Sequence, residues 1–143
     1  MLWKVFLVVV LMAAPGRAAD LHLWADGVYL ACVTCPAADP RSACSVTGAG
    51  APFAPLSIFN KNGRFGSPQA RASPWNALSF DPGLPELRDD DGRDQGVFTL
   101  NTHHPRAFFR AGALAQVWRA AEGDLAVIRR WMCHEGGVPS GQD

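Results

Sequence analysis

Leu21-His22-Leu23-Trp24-Ala25-Asp26-Gly27-Val28-Tyr29-Leu30-Ala31-Cys32-Val33 holds two short apolar-rich runs, Leu21 to Trp24 and Val28 to Val33, split by Ala25-Asp26-Gly27. An Asp-Gly pair between such runs favours the tight turn whose twist matches that of paired strands. The stretch therefore predicts a β-hairpin, and with it a strand-containing domain.

Further along the chain, Leu84 to Arg88 and Gly96 to Asn101 flank the polar run Asp89-Asp90-Asp91-Gly92-Arg93-Asp94-Gln95, which predicts a second hairpin. From Phe108 onward the period changes. Leu114, Val117, Trp118 and Ala121 fall at i, i+3, i+4 and i+7, one apolar face of a helix. Gly123 suits a helix stop and Asp124 the cap of a second helix, which carries Leu125, Ile128 and Met132 on one side with Val127 and Trp131 beside them. Strands first and helices last give an α+β class.

Toward the N-terminus, Lys4 precedes an unbroken apolar run from Val5 to Ala14, then Pro15-Gly16 and small residues. That run is far short of the roughly 20 residues that span a bilayer. A basic start, a short apolar middle and small residues at the cleavage site form the pattern of a secretory signal peptide, with cleavage after Ala18 or Ala19. Leu30-Ala31-Cys32 imitates a lipoprotein site, but Tyr29 stands where Leu is wanted and Asp26 interrupts any apolar run, so no lipid anchor is expected. The expected organisation is a signal peptide over 1–18, one exported globular domain over 19–133 and a polar tail over 134–143. The expected location is secreted or periplasmic, with no stable membrane anchor after cleavage.

Thirteen basic residues balance thirteen acidic ones, so no global field steers the chain toward nucleic acid or acidic membranes. Gly and Pro number 14 and 11 of 143 residues and cluster between Pro36 and Pro85, where turns and irregular chain are expected. Within that zone Ser57-Ile58-Phe59-Asn60 recurs as Ser73-Pro74-Trp75-Asn76, and more faintly upstream as Ser42-Ala43-Cys44-Ser45. The first unit continues through Gly63 and Gly66 to Ser67. In such a unit the aromatic plugs into a core, the Asn bonds its own backbone in a turn, and Gly takes a positive φ.

These residues resemble a group of uncharacterised, mostly bacterial exported proteins with repeats of the form Ser-Ile-x-Asn-x-x-Gly-x-Tyr-Gly-Ser. Ser57 to Ser67 is similar to that unit with Phe65 in the Tyr position, and Ser73 to Asn76 to a Ser-Pro-Trp-Asn segment that follows it. Tyr29 to Cys35 is similar to a Tyr-Leu-Gly-Cys-Leu-x-Cys opening, with Ala31 replacing the Gly, and Ala43 and Ser45 replace the usual Ile and Asn around Cys44. The resemblance implies export and fold class, not a reaction.

Cys32, Cys35, Cys44 and Cys133 form an even set in a short exported chain, the mark of a disulfide framework with three possible connectivities. In an extended strand, three-residue spacing puts Cα atoms about 10 Å apart, too far to bridge, so Cys32 and Cys35 are expected to bond elsewhere, to Cys44 and Cys133. Two other readings compete. Cys32-Val33-Thr34-Cys35 has redox-pair spacing, but Pro40 interrupts the helix that would stabilise a thiolate. Cys32, Cys35 and Cys44 with Cys133 or His134 have the ligand count of a zinc site, disfavoured in oxidising surroundings.

His103 and His104 read as a solvated loop, without an accompanying nucleophile turn or metalloprotease helix. Aligning Gly92 with the EF-hand glycine puts Leu87 and Phe98 at ligand positions, so Asp89 to Asp94 reads as a polar hairpin loop. Trp75, Trp118 and Trp131 read as core, and Trp24 as a candidate for exposure. Arg129-Arg130, Arg106 and Arg110 read as ordinary helix-face charges. No residue is assigned a catalytic role, and no metal or cofactor is expected. The expected fold is a small disulfide-stapled α+β domain with two β-hairpins, an irregular Gly/Pro-rich repeat segment and a C-terminal helical pair. The expected role is a non-catalytic binding or structural module meeting an envelope or extracellular protein or a glycan; the alternative is a cell-envelope thiol-disulfide oxidoreductase acting through Cys32 and Cys35.

Overall fold

The computed structural model describes residues 19–135 and 137. The expected signal peptide, 1–18, and most of the expected polar tail lie outside the described residues. Four strands, β1 (His22–Ala25), β2 (Val28–Cys32), β3 (Glu86–Arg88) and β4 (Asp94–Val97), form one antiparallel sheet in the order β2-β1-β3-β4. Two helices follow, α1 (Ala111–Ala120) and α2 (Leu125–His134). The class is α+β.

The first hairpin closes at Asp26 and Gly27, both in the left-handed region at φ 49° and 74°, as a two-residue Asp-Gly turn requires. In β1 the alternation is clean: Leu23 and Ala25 are buried, whereas His22 and Trp24 are half-buried on the other face. A register shift at Leu23/Trp24 perturbs the facing strand, and Leu30, Ala31 and Cys32 of β2 are all buried.

The second hairpin differs from expectation at its far arm. β4 begins at Asp94, inside the polar run, because Asp89 Oδ1 accepts the Asp91 and Arg93 amides and folds the turn early. The predicted run through Asn101 leaves the sheet after Val97 and enters the core instead. There the Phe98 amide donates to the Pro85 carbonyl at 2.8 Å and the Leu100 amide to that of Pro74 at 2.9 Å.

Between the hairpins the chain is a succession of turns with a three-residue step. From Asp39 to Gly63 an amide every third residue donates to the carbonyl three residues earlier; after a one-residue offset at Gly66–Ser67 the pattern resumes through Ala70, Ser73, Asn76 and Ser79. Side chains fix the corners. Ser57 Oγ accepts from the Phe59 amide, and Ser73 Oγ accepts from that of Trp75. Asn60 and Asn76 each donate to the carbonyl six residues back and accept the amide two residues ahead. Gly63 and Gly66 are not in the left-handed region, contrary to expectation. Gly66 is required by space: a Cβ there would sit 1.9 Å from the Asn60 carbonyl oxygen.

Trp75 unites these layers. Its indole stacks on Trp118 of α1 at 5.6 Å and 4°, meets Phe98 edge-on at 5.9 Å, lies 6.1 Å from Phe59, and donates Nε1–H to the Ile58 carbonyl. Leu23, Leu87, Leu114, Ile128 and Met132 complete the core from sheet and helices. Gly123, at φ 74°, reverses the chain between the helices, and Asp124 caps α2 by accepting the Ala126 amide at 2.9 Å.

Candidate functional site

The four cysteines form two disulfides, Cys32–Cys35 and Cys44–Cys133. The expectation that Cys32 and Cys35 bond elsewhere is thereby overturned. It assumed that the strand runs through both residues, whereas β2 ends at Cys32, the chain bends over residues 33–35, and the Cα atoms come within 5.5 Å. The Cys35 amide donates to Cys32 Sγ at 3.1 Å inside this bend. Cys44–Cys133 ties the turn run to the last turn of α2. With every sulfur in a bridge, the thiolate ligands of the zinc reading do not exist. The Asp20 carboxylate and the Cys32 and Cys35 sulfurs lie within 4.8 Å of one another, but oxidised sulfur is a poor partner for a cation. Cys32, at the end of edge strand β2 and bonded to Cys35, has no thiol left to carry a lipid.

A continuous polar network runs from this disulfide across the solvent face of the first hairpin. Thr34 Oγ1 lies 3.9 Å from Cys32 Sγ, donates to Asp20 Oδ1 at 2.9 Å and accepts the Leu21 amide. The Asp20 amide donates to Asp90 Oδ2 at 3.1 Å, and Asp90 Oδ1 lies 2.7 Å from His22 Nε2. His22 Nδ1 in turn lies 2.9 Å from the Tyr29 hydroxyl. With Asp90 ionised, Nε2 carries the proton and Nδ1 accepts from Tyr29. Hydrogen bonding to His22 holds Asp90 below the usual carboxylate range, and burial raises the Tyr29 phenol above its own, so Tyr29 remains a donor.

Trp24 stands beside the network, edge-to-face on Tyr29 at 5.1 Å and 80°, with the Arg88 guanidinium 5.9 Å from its ring. Together with Arg41 and Asp89 these residues line an open depression of about 370 Å³. It gathers an amphipathic ring, three carboxylates, two guanidiniums and an imidazole–phenol pair, a combination suited to a ligand with both hydroxyls and C–H faces.

Trp24, a candidate for exposure because the other tryptophans of the domain read as core, is half-buried; His22, Tyr29 and Asp90 carried no such signal, because 68 residues separate His22 from Asp90 and only the β1–β3 pairing brings them together. The flagged histidines lie elsewhere. His103 is exposed, and His104 stacks on Phe80 and accepts the Arg106 amide at 3.0 Å. Arg106 pairs with Glu86 and Asp94 across the second hairpin rather than on a helix face. Arg110 lies over Trp131 and Arg129 over Phe59, so neither is an ordinary helix-face charge. Ser57, Asn60, Gly63, Gly66, Ser73, Trp75 and Asn76 all serve the turn run and its core contacts, away from the depression.

Comparison with family models, curated proteins and solved structures yields no match for this chain.

Proposed function

We propose that the protein is exported and works outside the cytoplasm as a non-catalytic binding module, with the Trp24 depression as its ligand site and a glycan as its ligand. The observation that carries this reading is the convergence of Trp24 and Tyr29 with His22, Asp90, Arg41 and Arg88 on one solvent-facing patch. Sugar rings present C–H faces to aromatic side chains, and their hydroxyls both donate and accept, matching carboxylates, guanidiniums and imidazole. Export is supported by the N-terminal residue pattern and by two disulfides, which persist in oxidising compartments. No helix among the described residues is long and apolar enough to cross a membrane.

We also read Ser57–Asn60 and Ser73–Asn76 as degenerate copies of one repeat, akin to the exported proteins with Ser-Ile-x-Asn units. Support comes from the matching side-chain bonds at Ser57 and Ser73 and at Asn60 and Asn76. In this reading the repeat has a structural role, presenting one aromatic per copy to the core.

One observation favours the oxidoreductase alternative: Cys32 and Cys35 close their own bridge. Two oppose it. Cys32 is 0% and Cys35 5% exposed, and the Asp20 carboxylate lies within 4.8 Å of both sulfurs, which disfavours a thiolate.

The test is binding of the oxidised protein to an array of envelope and extracellular polysaccharide fragments, with Trp24→Ala alongside. Selective retention lost in the variant supports the reading. Absence of any retained glycan, or retention unchanged by the substitution, rejects it.

A further inference from the structure

A second concavity, of about 430 Å³, opens where the turn run meets the corner between the helices, and its chemistry differs from that of the depression. Pro52, Phe53, Phe59, Pro68 and Leu125 make it apolar. Phe53 is 91% exposed at its edge, an apolar surface left open to water. Two cations line it, Lys61 and Arg129, and neither has a carboxylate within 4 Å among the described residues. One acid lines it too, but Asp124 Oδ1 is engaged by the Ala126 amide as the cap of α2.

Arg129 is the unusual member. Its guanidinium lies 4.4 Å from the Phe59 ring centroid and donates Nη2–H to the Gly50 carbonyl, while its Nε–H is enclosed with no acceptor among the described residues. Burial without a counter-ion also lowers its pKa from the usual guanidinium value. A cation held on an aromatic face in an apolar cleft, paired with no carboxylate among the described residues, favours an anionic ligand. The position is fixed from both sides: Cys133, one helical turn beyond Arg129, is bonded to Cys44, and Gly50 follows Cys44 in the turn run.

We propose that this cleft binds a small anionic amphiphile, an alkyl carboxylate whose chain lies against Phe53, Phe59 and Leu125 and whose carboxylate pairs with Arg129, with Lys61 beside it. The volume lies within the range of small-molecule sites, roughly 300–1,000 Å³. Two cations against one already engaged carboxylate set the sign of the ligand's charge. This site is independent of the Trp24 depression, so either can fail without the other.

The experiment is calorimetric titration of the oxidised full chain with octanoate, octanol and octylammonium, which share one tail and differ in head group. The expected result is saturable 1:1 binding of octanoate, with octanol and octylammonium weaker by roughly tenfold or more, the scale of a charge-assisted pair. Arg129→Gln is expected to erase the preference for octanoate over octanol. Phe53→Ser, at a side chain too exposed to be needed for folding, is expected to weaken octanoate and octanol alike, and Trp24→Ala to change neither. Should Arg129→Gln fail to fold, the head-group series and Phe53→Ser decide. Equal binding of octanoate and octanol, no saturable octanoate binding, binding undiminished by Phe53→Ser, a preference that survives in Arg129→Gln, or binding lost in Trp24→Ala would each overturn the proposal.

Discussion

Asp90 and His22, 68 residues apart, lie 2.7 Å from one another, so the turn of the second hairpin is fastened to the first strand of the sheet. The same carboxylate accepts the Asp20 amide, and this one side chain therefore joins the entry of the domain, β1 and the β3–β4 turn. Much of what holds the depression in shape is thus ionised carboxylate.

Acid should loosen it. Asp39 is held below the usual carboxylate range by hydrogen bonds from Arg41, Asp90 by its bond to His22, and Asp94 by the Gly96 amide. A depressed folded-state pKa means stability that is fully present above the unfolded value, near 4, and lost as pH falls through the lower folded values. The expected outcome is a Tm that declines below about pH 4, with the acid limb shallower in an Asp90→Asn, Asp94→Asn double variant. Thermal melts between pH 2 and 6 check this, and an acid limb unchanged by both substitutions would show that other groups control it.

The two disulfides should differ in worth. Cys44–Cys133 closes a separation of 89 residues and Cys32–Cys35 one of 3. Chain entropy alone assigns about 4–5 kcal/mol to the long loop and about 2 kcal/mol to the short one. Paired Cys→Ala variants compared by urea unfolding should show the larger loss for Cys44/Cys133. The reverse order would mean that the bend over residues 33–35 depends on its bridge far more than the loop-closure model allows.

Trp75 and Ser73 offer a test of the turn run. Trp75→Ala removes the ring shared by Phe59, Phe98 and Trp118 and should cost about 3–5 kcal/mol. Ser73→Ala strands the buried Trp75 amide and the Phe65 carbonyl, and should cost about 1–3 kcal/mol despite removing a single oxygen. At Asn62, whose side chain is exposed, substitution by Ala should be close to neutral in the same unfolding assay.

The first hairpin, both helices and the cap of the second were legible because their determinants are local: Asp26-Gly27, a 3.6-residue apolar period, and Asp124 before Leu125. The aromatic role of Trp75 was legible too, from its place in the Ser73–Asn76 stretch. The Cys32–Cys35 bridge was not, since a spacing argument presumes a conformation, and the chain departs from extended form at the residue where it mattered. Nor was the three-residue step of the turn run, although its corners carry small or polar residues throughout, from Ser42 and Ser45 to Ser73, Asn76 and Ser79: a period of three matches neither helix nor strand, and only the Ser57–Asn60 and Ser73–Asn76 copies stood out. The depression was half legible: Trp24 stood out, but Asp90 looked like one acid in an acidic loop; in the second cleft, Arg129 looked like one charge on a helix face. Each acquires its role from a partner distant in sequence, Asp90 from His22 and Arg129 from Phe59 and Gly50.

The most direct test of the binding account is an NMR titration following the indole N–H resonances while oligosaccharide fragments of envelope and extracellular polysaccharide are added to the oxidised protein. The account predicts that the Trp24 resonance shifts saturably with at least one fragment while that of buried Trp75 stays in place. A Trp24 resonance unmoved by every fragment, or shifts confined to residues outside the depression, would contradict it.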